Sequence, residues 1–142
     1  MSSPDLASRV LARFTGHPHH VLGTIARDGS PRLSGINVMC NQGTLWFGSM
    51  PGARKVGDIA RDPRISIHSA PLEESLEGGD ARIDGRAKAL PAELALEWRP
   101  GSPEGEFFSV ELDKVHLVEV RDGRLVVTMW NAVDGLRIVE RS

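Results

Sequence analysis

One stretch of the sequence, residues 45–69, constrains the fold most, because its pattern of apolar and polar residues changes twice within a short length. It reads LWFGSMPGARKVGDIARDPRISIHS. It opens with an apolar run, Leu45–Gly48, that is too short for a helix and suits a buried strand. A helical pattern then starts at Pro51 and ends before Pro63, since the residue that precedes a proline avoids the α region. Arg64–Ser69 alternates polar and apolar residues, as a half-buried strand does. The stretch therefore predicts a strand, a short helix and a second strand.

Two cations, Arg54 and Lys55, fall in the first turn of the predicted helix. They face the positive end of the helix dipole, which is locally unfavourable, and the backbone N–H groups of that turn also lack acceptors. An anion bound there would satisfy both, with Ser49 as a further hydroxyl donor. Solvated surface cations that tolerate the small penalty are an equally good interpretation of the residues alone.

Composition limits the possible functions. The 142 residues are expected to form a single domain spanning 1–142, without repeats or a linker. A net charge of −2 with mixed signs does not favour a nucleic-acid surface, and no apolar run is long enough to cross a membrane. The sequence has no N-terminal signal region, and Cys40 is its only cysteine. Together these features predict a cytoplasmic protein without disulfides.

The rest of the chain predicts a mainly β structure. A helix over residues 4–15 is followed by a hairpin with its turn at Asp28-Gly29 and by the central stretch. After an acidic loop at 71–80 come a strand with a bulge at Asp84-Gly85, a short helix at 92–98 and two long strands. The fold class is thus an antiparallel split β-barrel of six or seven strands with short flanking helices.

Three histidines, His17, His19 and His20, lie close together after the first helix. Such a cluster invites a metal-site interpretation, but no cysteine or acid stands at ligand spacing, and Pro18 prevents a helical arrangement. We therefore expect a loop with solvated imidazoles and assign no metal site. No side chain is assigned a catalytic role.

The order of these elements resembles the pyridoxamine 5′-phosphate oxidase-like split-barrel flavoproteins. Phe47–Ser49 and Ala53–Lys55 resemble the strand end and the Ser-Arg-Lys helix start at which that family binds its cofactor phosphate. Asp58–Arg64 resembles the end of the same helix. Trp130 and Arg137–Arg141 resemble the closing Trp…Arg-Leu-His-Asp-Arg segment, with one extra residue. The resemblance covers nearly the whole chain.

The resemblance implies a cofactor site. The anion at Ser49, Arg54 and Lys55 would be the phosphate of FMN or of the deazaflavin F420, whose longer acidic tail would need a basic groove at Arg61 or Arg64. Family members are homodimers with the cofactor between subunits. The resemblance also suggests four further residues that contact the cofactor: Ser34, Asn37, Trp130 and Arg141. The alternative is that these are ordinary polar residues of a strand or, for Trp130, part of the core.

Two departures from the family pattern bear on function. Ala53 replaces the motif serine, and Val139 stands where the pyridoxamine phosphate oxidases have a substrate-binding histidine. We therefore expect an FMN- or F420-dependent oxidoreductase that transfers hydride to or from a small organic substrate and is not a true pyridoxamine phosphate oxidase. The alternatives are a non-catalytic module that binds or stores a flavin or haem, and a structural dimer with an empty site.

Overall fold

The computed structural model describes residues 4–70, 79–101 and 104–141, so most of the predicted acidic loop lies outside the described residues. The described ranges contain three helices and eight strands. The helices are α1 (Pro4–Thr15), α2 (Arg54–Arg61) and α3 (Ala92–Trp98). The strands are β1 (His19–Ile25), β2 (Pro31–Asn41), β3 (Thr44–Ser49), β4 (Arg64–His68), β5 (Asp80–Leu90), β6 (Glu106–Arg121), β7 (Arg124–Asn131) and β8 (Gly135–Arg141).

Six strands close into an antiparallel barrel. They are ordered β3-β2-β1-β4-β5-β6, and β3 pairs back with β6 to complete the ring. β7 and β8 continue the sheet outside the barrel. The predicted split barrel is confirmed, and β8 adds an eighth strand to the six or seven expected. No helix within the described ranges is long and apolar enough to cross a membrane.

One edge of the long strand β6 pairs with β5, and its other edge pairs with β3 and then with β7. Its first residues, up to Ser109, pair with β3, whereas Lys114 and those that follow pair with β7. The register with β5 shifts between Asp84 and Gly85, close to this change of partner. A side chain at Gly85 would collide with the carbonyl oxygen of Glu111, so glycine is required there. The predicted bulge is therefore confirmed.

The hydrophobic core lies inside the barrel and is covered by α1. Leu6, Val10 and Phe14 form the buried stripe of α1, as the spacing of apolar residues predicts. Ile36 and Val38 of β2 point into the same core. The other residues of this β2 face, Arg32 and Ser34, are only half-buried, so one end of the face remains polar. This polar end lies beside α2.

Candidate functional site

The helix α2 begins without a side-chain cap, although the Val56 N–H donates to the Ala53 carbonyl oxygen at 3.0 Å. Gly52 has φ +75°, a left-handed conformation that glycine adopts readily, so Pro51 and Gly52 form a turn before the helix. The expectation that the helical turn starts at Pro51 is therefore wrong. Ala53 is the N-cap residue in an extended conformation and provides no side-chain hydrogen bond. Arg54 and Lys55 are the first two helical residues, and the first turn contains no acid.

A cavity of about 480 Å³ runs along one face of α2. Arg54, Gly57, Asp58 and Arg61 line it at positions i, i+3, i+4 and i+7, which share one side of a helix. The remaining lining comes from the turn before α2, from Val56 and from the β1–β2 hairpin, which contributes Arg27 and Arg32. Four arginines thus line one cavity in a chain whose net charge is −2.

Among the described residues, Asp58 is the only acid that lines the cavity, and it has no exposed surface. Its carboxylate accepts hydrogen bonds from Arg32 Nε at 2.7 Å, Thr24 Oγ1 at 2.8 Å and an Arg61 Nη at 2.6 Å. These hydrogen bonds, chiefly that from Arg32, lower the pKa of Asp58 to about 2 although burial opposes the shift. Asp58 therefore stays ionised and fixes two of the four guanidinium groups.

Arg54 and Lys55 point to different surroundings. Arg54 is exposed at the cavity, and no acid in the described part of the chain pairs with it. Lys55 does not line the cavity; its Nζ donates to the carbonyl oxygen of Gly35 at 3.2 Å, and partial burial lowers its pKa. Arg54 is therefore at the cavity, while Lys55 lies over β2.

The predicted polar contacts on the strands are more dispersed. Ser49 ends β3, is buried, and its hydroxyl donates to the Met50 carbonyl oxygen at 3.3 Å. Ser34 Oγ is buried, and no described residue provides it with a hydrogen-bond partner. Asn37 is exposed on the opposite face of β2 from Ser34.

Trp130 and Arg141 lie at opposite ends of the β7–β8 hairpin. Trp130 pairs with Leu136 and packs against the core, whereas Arg141 is exposed opposite Leu125. Five residues of strand separate the two positions, which corresponds to roughly 17 Å. Within one chain they therefore do not meet at a common point.

The histidine cluster differs from the prediction in two respects: His19 and His20 begin β1 and are not in a loop, and His20 is not solvated. His20 is buried, with Nε2 2.8 Å from the Phe14 carbonyl oxygen and Nδ1 accepting from the Ala70 N–H at 3.0 Å. The expectation of a solvated imidazole is wrong for His20, because it joins the end of α1 to the segment after β4. Among the described residues no three potential metal ligands converge.

Sequence reasoning missed Asp58 and Arg27 as residues of this site. The signal for Asp58 was available, since an acid on the face of a short helix shared with Arg54 and Arg61 implies a charge network. Arg27 lies in the hairpin connection and joins the cavity only through tertiary folding. Of the two arginines considered for a basic groove, Arg61 lines this cavity and Arg64 does not.

Comparisons with known proteins agree with the fold. A protein-family model described as pyridoxamine 5′-phosphate oxidase matches residues 6–119. A pyridoxamine 5′-phosphate oxidase-related, FMN-binding protein from Nostoc punctiforme is 12% identical, with a TM-score of 0.68, and the match covers 100% of this chain and 98% of that one. General stress protein 26 from Bacillus anthracis is 17% identical over 79% of this chain and 92% of that one, with a TM-score of 0.64.

A haem-binding protein from Mycobacterium smegmatis is 18% identical, with a TM-score of 0.60; the match covers 98% of this chain and 59% of that one. No curated protein matches the sequence. At these sequence identities the solved structures establish only the fold. The family model matches the sequence itself over most of the chain, so it establishes the family. The chain belongs to the pyridoxamine 5′-phosphate oxidase family.

Proposed function

We propose that the protein binds a flavin-type cofactor by its phosphate at the N-terminus of α2 and acts as an oxidoreductase. The observation that carries this proposal is the uncapped first turn of α2 beside Arg54, which faces the cavity without an acidic partner in the described residues. Free N–H groups and a guanidinium at one helix end form a ready anion site. Membership of a family with an FMN-binding relative supports a flavin phosphate as that anion.

The donors near α2 fit a phosphate monoester in number and charge. Arg54 offers a planar set of N–H donors beside the backbone N–H groups of the first turn. Lys55 and Ser49 would reach the phosphate by exchanging their present hydrogen bonds to the Gly35 and Met50 carbonyl oxygens. Ser34 Oγ, buried without a described partner, is a further group that a ligand can satisfy. When bound, the isoalloxazine-type ring would supply hydride transfer, while the protein supplies binding and orientation.

FMN is the first choice of cofactor and F420 the second. Both carry a phosphate that the start of α2 can hold, so the anion site alone does not distinguish them. The proposed substrate is a small organic molecule that exchanges hydride with the ring. Because Cys40 is the only cysteine, we expect the protein to work in the reducing cytoplasm.

The test is an absorption titration of the purified protein with FMN and with F420. The proposal predicts stoichiometric binding of at least one of them, followed by reduction of the bound cofactor by NAD(P)H or another donor and reoxidation by an acceptor. A protein that binds neither ligand contradicts it.

A second candidate function is a non-catalytic module that binds or stores a flavin or haem. The structural similarity to a haem-binding protein from Mycobacterium smegmatis favours testing this alternative. In that case the titration would show a bound ligand whose reduction and reoxidation do not turn over. Haem belongs in the same titration.

We expect the protein to be a homodimer with the cofactor between subunits. The face of β2 turned away from the core exposes Leu33 by 74%, and β8 leaves an open sheet edge with Ile138 exposed by 56%. A two-fold contact covers the same patch on both chains. In a dimer, Trp130 and Arg141 can each approach the cofactor held by the other chain. Sedimentation at micromolar concentration should give twice the chain mass, and a monomer would leave both residues without this role.

We expect little or no pyridoxamine 5′-phosphate oxidase activity. Val139 is half-buried on β8 at the position of the substrate-binding histidine in the family motif. An aliphatic side chain cannot form the histidine's hydrogen bond, and a polar substrate group left unpaired is strongly disfavoured. Oxygen consumption with pyridoxamine phosphate should therefore remain at the level without substrate in FMN-loaded protein. Turnover at a rate comparable with other substrates would contradict this expectation.

A further inference from the structure

We infer that His20 is a pH-sensitive latch between the C-terminal end of α1 and the segment that follows β4. When its ring takes up a proton from solvent, the ring keeps its contact with α1 and releases the backbone N–H of Ala70. The inference is independent of the proposed function, because His20 lies on β1 and does not line the cavity beside α2.

The contacts of the buried His20 ring determine which ring nitrogen carries the proton. Nε2 lies 2.8 Å from the carbonyl oxygen of Phe14 and 2.6 Å from that of His17, so Nε2 is the donor. Nδ1 accepts from the N–H of Ala70 at 3.0 Å. A neutral imidazole has one donor and one acceptor, so these contacts match the neutral ring with its proton on Nε2.

Protonation reverses the role of Nδ1 and leaves that of Nε2 unchanged. An imidazolium donates from both nitrogens, so the new Nδ1–H would face the Ala70 N–H, and two donors repel each other. Nε2 still donates to Phe14, which lies in the last turn of α1. The free carbonyl groups at this end of a helix favour a cation. The charged ring therefore stays with α1, and the bond from Ala70 is lost.

The side chains on the α1 side offer the charged ring no acidic partner. Among the described residues no carboxylate bonds to the His20 ring, which is 2% exposed. The buried Glu119 is bonded to Arg9 of α1. The ring centroid of His17 lies 6.2 Å from that of His20, so a charge on either ring opposes a charge on the other. A proton on His20 is thus accommodated by the carbonyl groups at the end of α1.

The neighbouring strands present apolar side chains on the inner face, where His20 lies. Ile36 of β2 is directly opposite His20 and is buried. The titratable residues nearby on β1, β4 and β5 alternate with buried residues and so lie on the outer face of the barrel: His19, His68, Asp80 and Arg82. Histidine changes charge between about pH 5 and 8, so the test must separate His20 from His17.

Hydrogen exchange of the full chain, labelled with ¹⁵N and measured by NMR from about pH 7.5 to 5, tests the latch. After correction for the intrinsic exchange rate, protection of the Ala70 N–H should fall about tenfold, because one hydrogen bond is lost. Two neighbouring amides should keep their protection: that of Gly16, bonded to Ala12, and that of Ser69, bonded to Ala81. The ring nitrogen signals of His20 should show Nδ1 gaining its proton over the same pH range.

Two variants separate the histidines. In His20→Gln the side-chain amide is neutral throughout, so protection of Ala70 should no longer vary with pH. His17→Gln is the matched control and should retain the tenfold fall. If His20→Gln does not fold, the amide and ring titrations of the wild type and of His17→Gln decide the question.

Four results would overturn the inference. The first is constant protection of Ala70 while Nδ1 becomes protonated, and the second is an equal fall at all three amides. The third is a pH dependence that disappears in His17→Gln. The fourth is a His20 ring that stays neutral until the whole chain unfolds.

Discussion

Replacement of Arg54 and Lys55 by alanine should weaken flavin binding about a hundredfold, because a phosphate at the start of α2 loses a pair of charge-assisted hydrogen bonds from Arg54, each of which contributes roughly 1.5–3 kcal/mol. Both residues lie in the first turn of α2, and neither forms an ion pair with a described residue. The fold should be retained, since the only side-chain hydrogen bond to a described residue that is lost is that from Lys55 to the exposed Gly35. Fluorescence titration of FMN, supported by circular dichroism of the variant, provides the measurement.

The matched control is Arg64→Ala/Lys88→Ala. It removes the same two positive charges at exposed positions outside the cavity. It therefore distinguishes the loss of direct contacts with the phosphate from the effect of a lower net charge on binding. The control should bind FMN nearly as well as the wild type. Equal affinities in the wild type and the folded Arg54/Lys55 variant would contradict the placement of the phosphate at α2.

Replacement of Asp58 by alanine should lower the free energy of unfolding by about 3 kcal/mol, because it breaks a buried network of charged groups. The carboxylate has no exposed surface and bonds to Thr24, Arg32 and Arg61. Both arginine side chains keep about a third of their surface exposed, which moderates the loss. Urea unfolding would measure this loss.

The control is Asp62→Ala. The pKa of Asp62 is also lowered to about 2, but its partner Arg64 is largely exposed, so a much smaller loss of unfolding free energy is expected.

The Asp58 contribution should also depend on pH with a definite sign. Because the folded-state pKa is lowered from 3.8 to about 2, the stabilisation is complete above about pH 4 and is lost as the pH falls through 2. The difference in unfolding free energy between wild type and Asp58→Ala should therefore shrink between pH 4 and 2. A difference that stays constant over this window would show that Asp58 is not the ionised centre of the network.

Local patterns predicted the elements of the fold well. The apolar stripe of α1, the hairpin at Asp28-Gly29 and the bulge at Gly85 each depend on neighbouring residues, so they are encoded within a few positions. The barrel is closed by the pairing of β3 with β6, which are distant in sequence. Periodicity does not predict which distant strands pair, so the closed barrel was predicted from the family resemblance. The number of strands was set too low because the tail alternates weakly: most of β8 is exposed on both faces.

The candidate site was predicted only in part, for a similar reason. Arg54 and Lys55 follow from the chemistry of a helix start, which is local. Their divergence, with Lys55 turned toward Gly35, depends on where β2 passes the helix. The cavity also required the hairpin to bring Arg27 and Arg32 beside Asp58, and no spacing rule gives that approach. Buried His20 was missed likewise, because its partner Ala70 lies fifty residues away.

Every described residue that lines the cavity falls within one continuous segment, from Arg27 to Arg61, while the β7–β8 hairpin comes from the other end of the chain. The arrangement has an evolutionary consequence. Since β7 and β8 lie outside the closed ring, substitutions or insertions in that hairpin do not open the barrel or touch the arginines. Gene duplication followed by divergence of the C-terminal hairpin would thus yield proteins that keep the same cavity-lining segment. They would differ in the side chains of β7 and β8.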